Sequence, residues 1–509
     1  MRQICLSALA GLALIAPAAW PASQDLPSSP LEFIPRTPEE QARIKAVTAP
    51  TIDFTAPEAY EALPGGAATS NAMVNGDAFS QSSANMSFEK ELDFKVGNGL
   101  FKKLWVSAPS STQASDGLGP LYNARSCQRC HLKDGRGHPP EGPEDNPISM
   151  FLRISVPGGP EDVIEEIEDY ISAVPDPAYG TQIQDSALPG IAAEAQMKIT
   201  YEEFEVPLSG GEVAHLRRPS YALGDLGYGP PHPDAMLSPR IAPQMIGLGH
   251  LEAIPSEDIL ALADPDDADG DGISGRANIV WSKEFDRPML GRFGLKAGTP
   301  TIRQQSADAF AGDIGISNPV NPSGWGECSA LQDECRKAPD GASEAYEDLE
   351  IDSEGLDLVT FYSRNLAVPR RRDFDDPIVL RGKQVFYETG CTACHNPKFV
   401  THRLSDQPEQ SFQLIWPYTD MLLHDMGEGL ADNRPEARAN GREWRTPPLW
   451  GIGLTREVSG HTYFLHDGRA RSLLEAVLWH GGEAEAARQT VVKMPAADRH
   501  ALIAFLESL

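Results

Sequence analysis

Ser126-Cys127-Gln128-Arg129-Cys130-His131 and Gly390-Cys391-Thr392-Ala393-Cys394-His395 decide how this chain is read. Cys-x-x-Cys followed directly by His is the attachment signature of c-type haem. The spacing is a chemical requirement: two thiols add across the two vinyl groups on one porphyrin edge, and the next residue turns its imidazole onto the iron. A thioredoxin-like dithiol also uses Cys-x-x-Cys, but it needs no following His and sits beside a βαβ pattern that is lacking here. A structural zinc site keeps its two Cys-x-x-Cys pairs close in sequence, whereas these lie 264 residues apart. The expectation is two covalently bound c-type haems on Cys127, Cys130, Cys391 and Cys394, with His131 and His395 as the proximal iron ligands.

The chain has seven cysteines, and the three outside these motifs set the compartment. Cys5 falls in an N-terminal leader. Arg2 supplies its positive start, Leu6 to Ala16 its apolar core, and Ala16-Pro17-Ala18 or Trp20-Pro21-Ala22 a cleavage site. Residues 1–22 therefore read as a signal peptide. The apolar run is shorter than the ~20 residues of a spanning helix, and no later stretch could cross a bilayer. An exported, periplasmic protein without a transmembrane anchor is expected. In that oxidising setting Cys328 and Cys335 read as a disulfide.

Composition narrows the function classes. Among 509 residues, 45 Gly and 43 Pro favour long ordered loops over a simple helix bundle. A net charge of −30 excludes a nucleic-acid binder, which needs clustered Lys and Arg to neutralise phosphates. The acidity serves solubility or steers a basic protein partner.

Apolar periodicity places helices ahead of each motif. Phe88, Leu92, Phe94, Leu100, Phe101 and Leu104 form one pattern over 86–105, and the Ser110 to Asn123 loop then delivers the first motif. Leu356, Val359, Phe361 and Tyr362 mark a second helix over 353–366. Residues 381–387 form a third that runs into Cys391, and Leu502, Ile503, Phe505 and Leu506 mark a terminal one. The expected architecture is mainly α: two tandem cytochrome c-like domains, with long loop or β insertions in the first. Its parts would be an extended arm (23–85), a first domain (86–300), an inter-domain segment with Cys328 and Cys335 (301–375) and a second domain (376–509). Downstream of the motifs the halves echo each other. Arg240-Ile241-Ala242-Pro243 answers Arg445-Thr446-Pro447-Pro448, each followed by Gly-x-Gly (Gly247/Gly249 and Gly451/Gly453), and Gly275-Arg276-Ala277 answers Gly468-Arg469-Ala470. The order favours a tandem duplication.

Three further stretches carry a family resemblance: Asp116-Gly117-Leu118-Gly119-Pro120-Leu121-Tyr122-Asn123-Ala124-Arg125-Ser126-Cys127 ending in Asp134-Gly135-Arg136-Gly137, then Arg445-Thr446-Pro447-Pro448-Leu449-Trp450-Gly451, then Leu465-His466-Asp467-Gly468-Arg469-Ala470. Over residues 86–509 the chain resembles bacterial di-haem oxidoreductases labelled "thiol oxidoreductase", and more distantly the di-haem cytochrome c peroxidases. The resemblance implies a peroxidase-like enzyme with one catalytic and one electron-relay haem, fed by a redox partner protein. Those peroxidases place a Met about fourteen residues after the His of their His-Asp-Gly motif. Counting from His466 lands on His480, which becomes the candidate sixth ligand of the second haem. Its rivals are His466 and Met494. A second imidazole in place of a thioether lowers the reduction potential.

Peroxide cleavage needs a distal group that moves a proton from one oxygen to the other. Glu252 and then His250 are the candidates around the first haem. Met245 or His250 could instead close its iron, and His138, His215 and His232 stay open as alternatives. Asp267, Asp269 and Asp271, with Gly272 at the sixth position and Ile273 following, have the alternating carboxylates of a Ca²⁺ loop without the twelfth-position Glu of an EF-hand. Two other functions compete with the peroxidase: a plain electron-transfer cytochrome with both irons six-coordinate, and an oxidoreductase acting on thiols or sulfur compounds.

Overall fold

Asp376 closes the start of a helix at Pro377–Glu388 by accepting the Ile378 N–H, with Pro377 at a position that needs no donor. The helix runs straight into the second motif and crosses the terminal helix Ala496–Ser508. Gly382 makes that crossing close: a Cβ there would lie 1.9 Å from the Ala501 carbonyl oxygen. One turn on, Phe386 packs on Phe505 and lies 6.1 Å from the His395 ring. The first motif repeats this arrangement. Helix Lys90–Lys102 crosses helix Ser353–Arg364, a Cβ on Gly97 would lie 2.2 Å from Leu358 O, and Phe101 packs on Tyr362 and lies 6.3 Å from His131. The spacing is the same in both, with Phe four residues after Gly and the opposing ring four residues after the crowded carbonyl.

The computed structural model describes residues 30–112, 114–142, 145, 148–158 and 173–509, and the leader expected at 1–22 lies outside them. Helix 353–364 matches its apolar periodicity, with Leu356, Val359 and Tyr362 buried, and Asp352 caps it on the Gly355 N–H. It completes the first helix pair from a stretch read in sequence as an inter-domain segment.

The mainly α architecture of two tandem cytochrome c-like domains is not what the chain adopts. It is 28% helix and 17% strand, and its described strands form seven separate two-stranded sheets. The longest pair is an antiparallel hairpin, Gln196–Pro207 with Val213–Gly224, in register from Gln196↔Gly224 to Pro207↔Val213. Ile199, Tyr201, Phe204 and Val206 suit strands, and Gly210 and Gly211 take the positive φ of the turn. The hairpin packs on the other half of the chain: Leu208, Ala214 and Leu216 share one buried cluster with Val379, Phe386, Trp416 and Phe505. A second cluster joins Phe79, Ile246 and Ile279 to Phe399, Ile415 and Trp450. Helix packing is thus local to the two motifs, and the core is made jointly by both halves. Among the described residues no helix is long and apolar enough to cross a membrane. Cys328 and Cys335 are bonded to each other.

The echoed segments meet face to face. Gly247 and Gly451 both have positive φ. A Cβ on Gly247 would lie 2.3 Å from the Trp450 ring, and one on Gly451 would lie 2.5 Å from Ile246. Each turn therefore fits against the residue just before the other, and Gln244 adds a 2.6 Å bond to Trp450 O.

Two neighbouring glycines test the helix crossing. Gly97→Ala is expected to destabilise the protein by about 1–3 kcal/mol, because backbone must move to admit the methyl group. Gly99→Ala, in the same helix with nothing within 4 Å of its Cβ position, should instead stabilise by about 0.4–1 kcal/mol. Chemical denaturation of the two variants side by side checks both signs.

Candidate functional site

Both motifs fold into the same turn. Cys127–Cys130 is one helical turn with the His131 N–H donating to Cys127 O at 3.0 Å; Cys391–Ala393 is a tighter turn with the His395 N–H donating to Cys391 O at 2.9 Å. The closure brings two thiols and an imidazole to one side of a short loop. Each imidazole is fixed by its Nδ1–H, which donates to Pro243 O at 2.7 Å for His131 and to Tyr418 O at 2.9 Å for His395. A carbonyl can only accept, so the proton sits on Nδ1 and the Nε2 lone pair is left for a metal. Burial holds both rings down to about 4, which keeps them neutral.

The four motif cysteines form no disulfide. Burial pushes the Cys127 and Cys391 thiols up to about 12, and Cys130 rises well above the ordinary thiol range. A redox-active dithiol needs a lowered thiol pKa, so these pairs are poor exchange catalysts. They suit a thioether better.

All six motif residues line one internal cavity of about 1160 Å³. That is more than the roughly 300–1,000 Å³ of a single small-molecule site. Its wall carries buried polar atoms with no protein partner, among them Arg136 Nε, Gln244 Oε1 and His466 Nε2. Native interiors rarely tolerate such atoms. The donor set, the volume and the orphaned polar atoms together fit two haems.

The remaining sequence candidates divide by whether they reach this cavity. His480 does. Its Nδ1–H donates to Ala476 O at 2.8 Å, leaving Nε2 free, and it contributes to holding the His395 pKa down. His466 also lines the cavity, stacked on Trp444 with ring centroids 3.9 Å apart. Met494 is buried in a hydrophobic cluster and is not on the cavity wall. Met245 is on the wall, whereas His138, His215 and His232 are not.

Glu252 and His250 face away from the cavity. In the short helix Leu248–Glu252, Leu248 and Leu251 supply its cavity-lining face. Glu252 is fully buried elsewhere, accepting from the Ile302 N–H and from Arg364 Nε, both at 2.9 Å. His250 packs beside Gly65. Asp267 and Asp269 gather with Asp264, their carboxylate oxygens within 4.8 Å of one another; Asp264 had not been picked out in sequence. Asp271 accepts the Ile273 N–H at 2.8 Å and stands outside that trio.

Sequence reasoning also missed His424. It is buried between Asp420 and Glu483, each 2.7 Å from one ring nitrogen, and lies 3.5 Å from Cys394 Sγ. These carboxylates raise its pKa well above the ordinary range despite burial. Its partners are up to 59 residues away, so no local spacing could have revealed the clamp.

Residues 60–509 match the family model described as "Di-haem oxidoreductase, putative peroxidase". The chain belongs to the di-haem oxidoreductase family. No curated protein matches it. Among solved structures, hydrazine synthase of Kuenenia stuttgartiensis, pressurised with 20 bar xenon, is similar at 18% identity with a TM-score of 0.21. That match covers 32% of this chain and 57% of the other. Both Cys-x-x-Cys-His motifs of this family member lie on a single cavity.

Proposed function

We propose that the chain is a periplasmic oxidoreductase of the peroxidase type with two covalent c-type haems. Cys127, Cys130 and His131 would hold the haem that supplies the peroxide chemistry, and Cys391, Cys394 and His395, with His480 as a further ligand, would hold the one that supplies electron transfer from a donor protein. One observation carries this reading: the two motifs differ in what faces them. On the cavity wall His480, with its Nδ1–H given to Ala476 O and its Nε2 free, stands near enough to hold the His395 pKa down, and no histidine acts on His131 in this way. An iron with two strong axial ligands passes electrons, and one with an open position binds small molecules.

The bound haems supply the electron-transfer and peroxide chemistry, and the chain supplies ligation, orientation and proton transfer. Pro243 O and Tyr418 O hold the proximal rings in the metal-binding tautomer. For proton transfer the geometry favours His466 over Glu252 and His250. It stands on the cavity wall, its ring is fixed by Trp444, and the carboxylate of Asp467 lies 3.8 Å from its Nε2. Burial holds it down to about 4, so at neutral pH it is a free base able to accept a peroxide proton and return it to the leaving oxygen.

The test is an EPR and visible spectrum of the oxidised, haem-loaded protein before and after stoichiometric peroxide. A high-spin ferric signal that peroxide removes, beside a low-spin signal that it does not, is expected. Two low-spin signals indifferent to peroxide, in the oxidised and half-reduced protein alike, overturn the proposal. The protein would then be an electron-transfer cytochrome, with Met245 on the cavity wall as the ligand to examine next.

A further inference from the structure

We infer that Arg136 and Arg445 bind the propionate carboxylates of the two haems. The assignment rests on the di-haem reading above and goes beyond it by naming what receives the acidic edge of each macrocycle.

In a chain of net charge −30, several enclosed guanidinium groups have acidic partners. Arg240 and Arg434 pair with Glu436 at 2.8 and 3.0 Å, Arg469 with Asp467 at 2.9 Å and Arg499 with Glu212 at 2.6 Å. Arg136 and Arg445 have none. Arg136 donates to Leu465 O at 3.2 Å, and its Nε is buried without a partner. Arg445 donates to Gly294 O and Thr446 O, both at 3.1 Å, and approaches Met421 Sδ at 3.8 Å. No acidic group acts on Arg136, and only Asp420 acts at a distance on Arg445, so burial pulls both down to about 10. A protein does not keep an enclosed cation without an anion, because desolvation then goes uncompensated.

Both side chains line the cavity that holds the two motifs. Arg136 stands five residues after His131, and Arg445 lies on the strand paired with Leu423–Asp425, which carries His424 against Cys394. Thioether attachment uses one edge of a haem and leaves its two propionates ionised and in need of a partner. The planar fork of arginine matches a carboxylate with two parallel bonds, and lysine does not. Arg292 provides a contrast. It is also fully buried and pulled down to about 10, but it donates to Leu251 O and Ser256 Oγ, has Glu252 and Glu257 nearby and is off the cavity.

The experiment compares Arg136→Gln, Arg445→Gln, their Lys counterparts and Arg292→Gln in the haem-loaded full chain. It reads haem content, the midpoint potential of each haem and the propionate bending bands in resonance Raman. Both Gln variants should keep two haems per chain through their thioethers. In each, the potential of at least one haem should fall, since loss of a nearby cation favours the oxidised state, and a propionate band should shift. The Lys variants, which keep the charge and guard against a Gln variant that fails to fold, should hold the potential while the band still shifts. Arg292→Gln should lower thermal stability and leave potentials and bands in place. Unchanged potentials and bands in the Arg136 and Arg445 variants overturn the assignment. Fewer than two haems in the unmodified protein overturns the di-haem reading itself, and the haem count shows this before any variant is made.

Discussion

His466→Gln is expected to lower peroxide-dependent turnover by about 10²–10⁴-fold, the usual contribution of a positioned acid–base group. Glutamine keeps the volume and hydrogen-bonding capacity of the side chain but cannot carry a proton back and forth. His466 holds no haem thioether, so haem content and both potentials should match those of the unmodified protein, which separates lost proton transfer from lost cofactor. The pH profile offers a second readout. The wild-type rate should decline as pH falls through about 4, where the imidazole takes up a proton and ceases to be a base. The variant should lack that limb. Steady-state assays with a reduced donor and hydrogen peroxide measure both, and an unaltered rate would remove His466 from the mechanism.

His480→Gly is expected to change the second haem more than any other single substitution outside the motifs. As His480 would hold that haem together with His395, removing its imidazole should convert the haem from low to high spin and make it react with peroxide, abolishing the difference between the two sites. Exogenous imidazole should restore the low-spin signal, because the vacated volume can accept the free ligand. His480→Met should instead keep the haem low-spin and raise its potential, as thioether ligation does. EPR with redox titration resolves all three results. A second haem still low-spin in His480→Gly without added imidazole would show that another residue is its ligand, and His466 would be the first to examine.

Local chemistry was legible in the sequence and distant partnership was not. Cys127, Cys130 and His131 would have to share one short turn to meet one haem, so their pattern is visible in five residues. The helices at 353–364 and 377–388 were visible because their buried positions recur with the helical period. The role of Glu252 was not visible, because what occupies it is the Ile302 N–H fifty residues away and Arg364 a further sixty or so along. The same holds for Arg136 and Arg445, which stand out only by what they lack. Ile199, Tyr201, Phe204 and Val206 carry a strand signal within the first domain, where loop or β insertions were expected, but the helices around the motifs set the expectation of a mainly α fold. The packing of the hairpin on the far half, and a second cluster joining both halves, reveal that the core is shared.

The reciprocal fit of the Gly247 and Gly451 turns also constrains descent. Each turn is the mould for the other: Trp450 occupies the space that a side chain at 247 would need, and Ile246 does the same at 451. A change in bulk on one side must be answered on the other, so the two stretches can drift only in step. That mutual check ties the two stretches to each other, whatever changes in the chain around them.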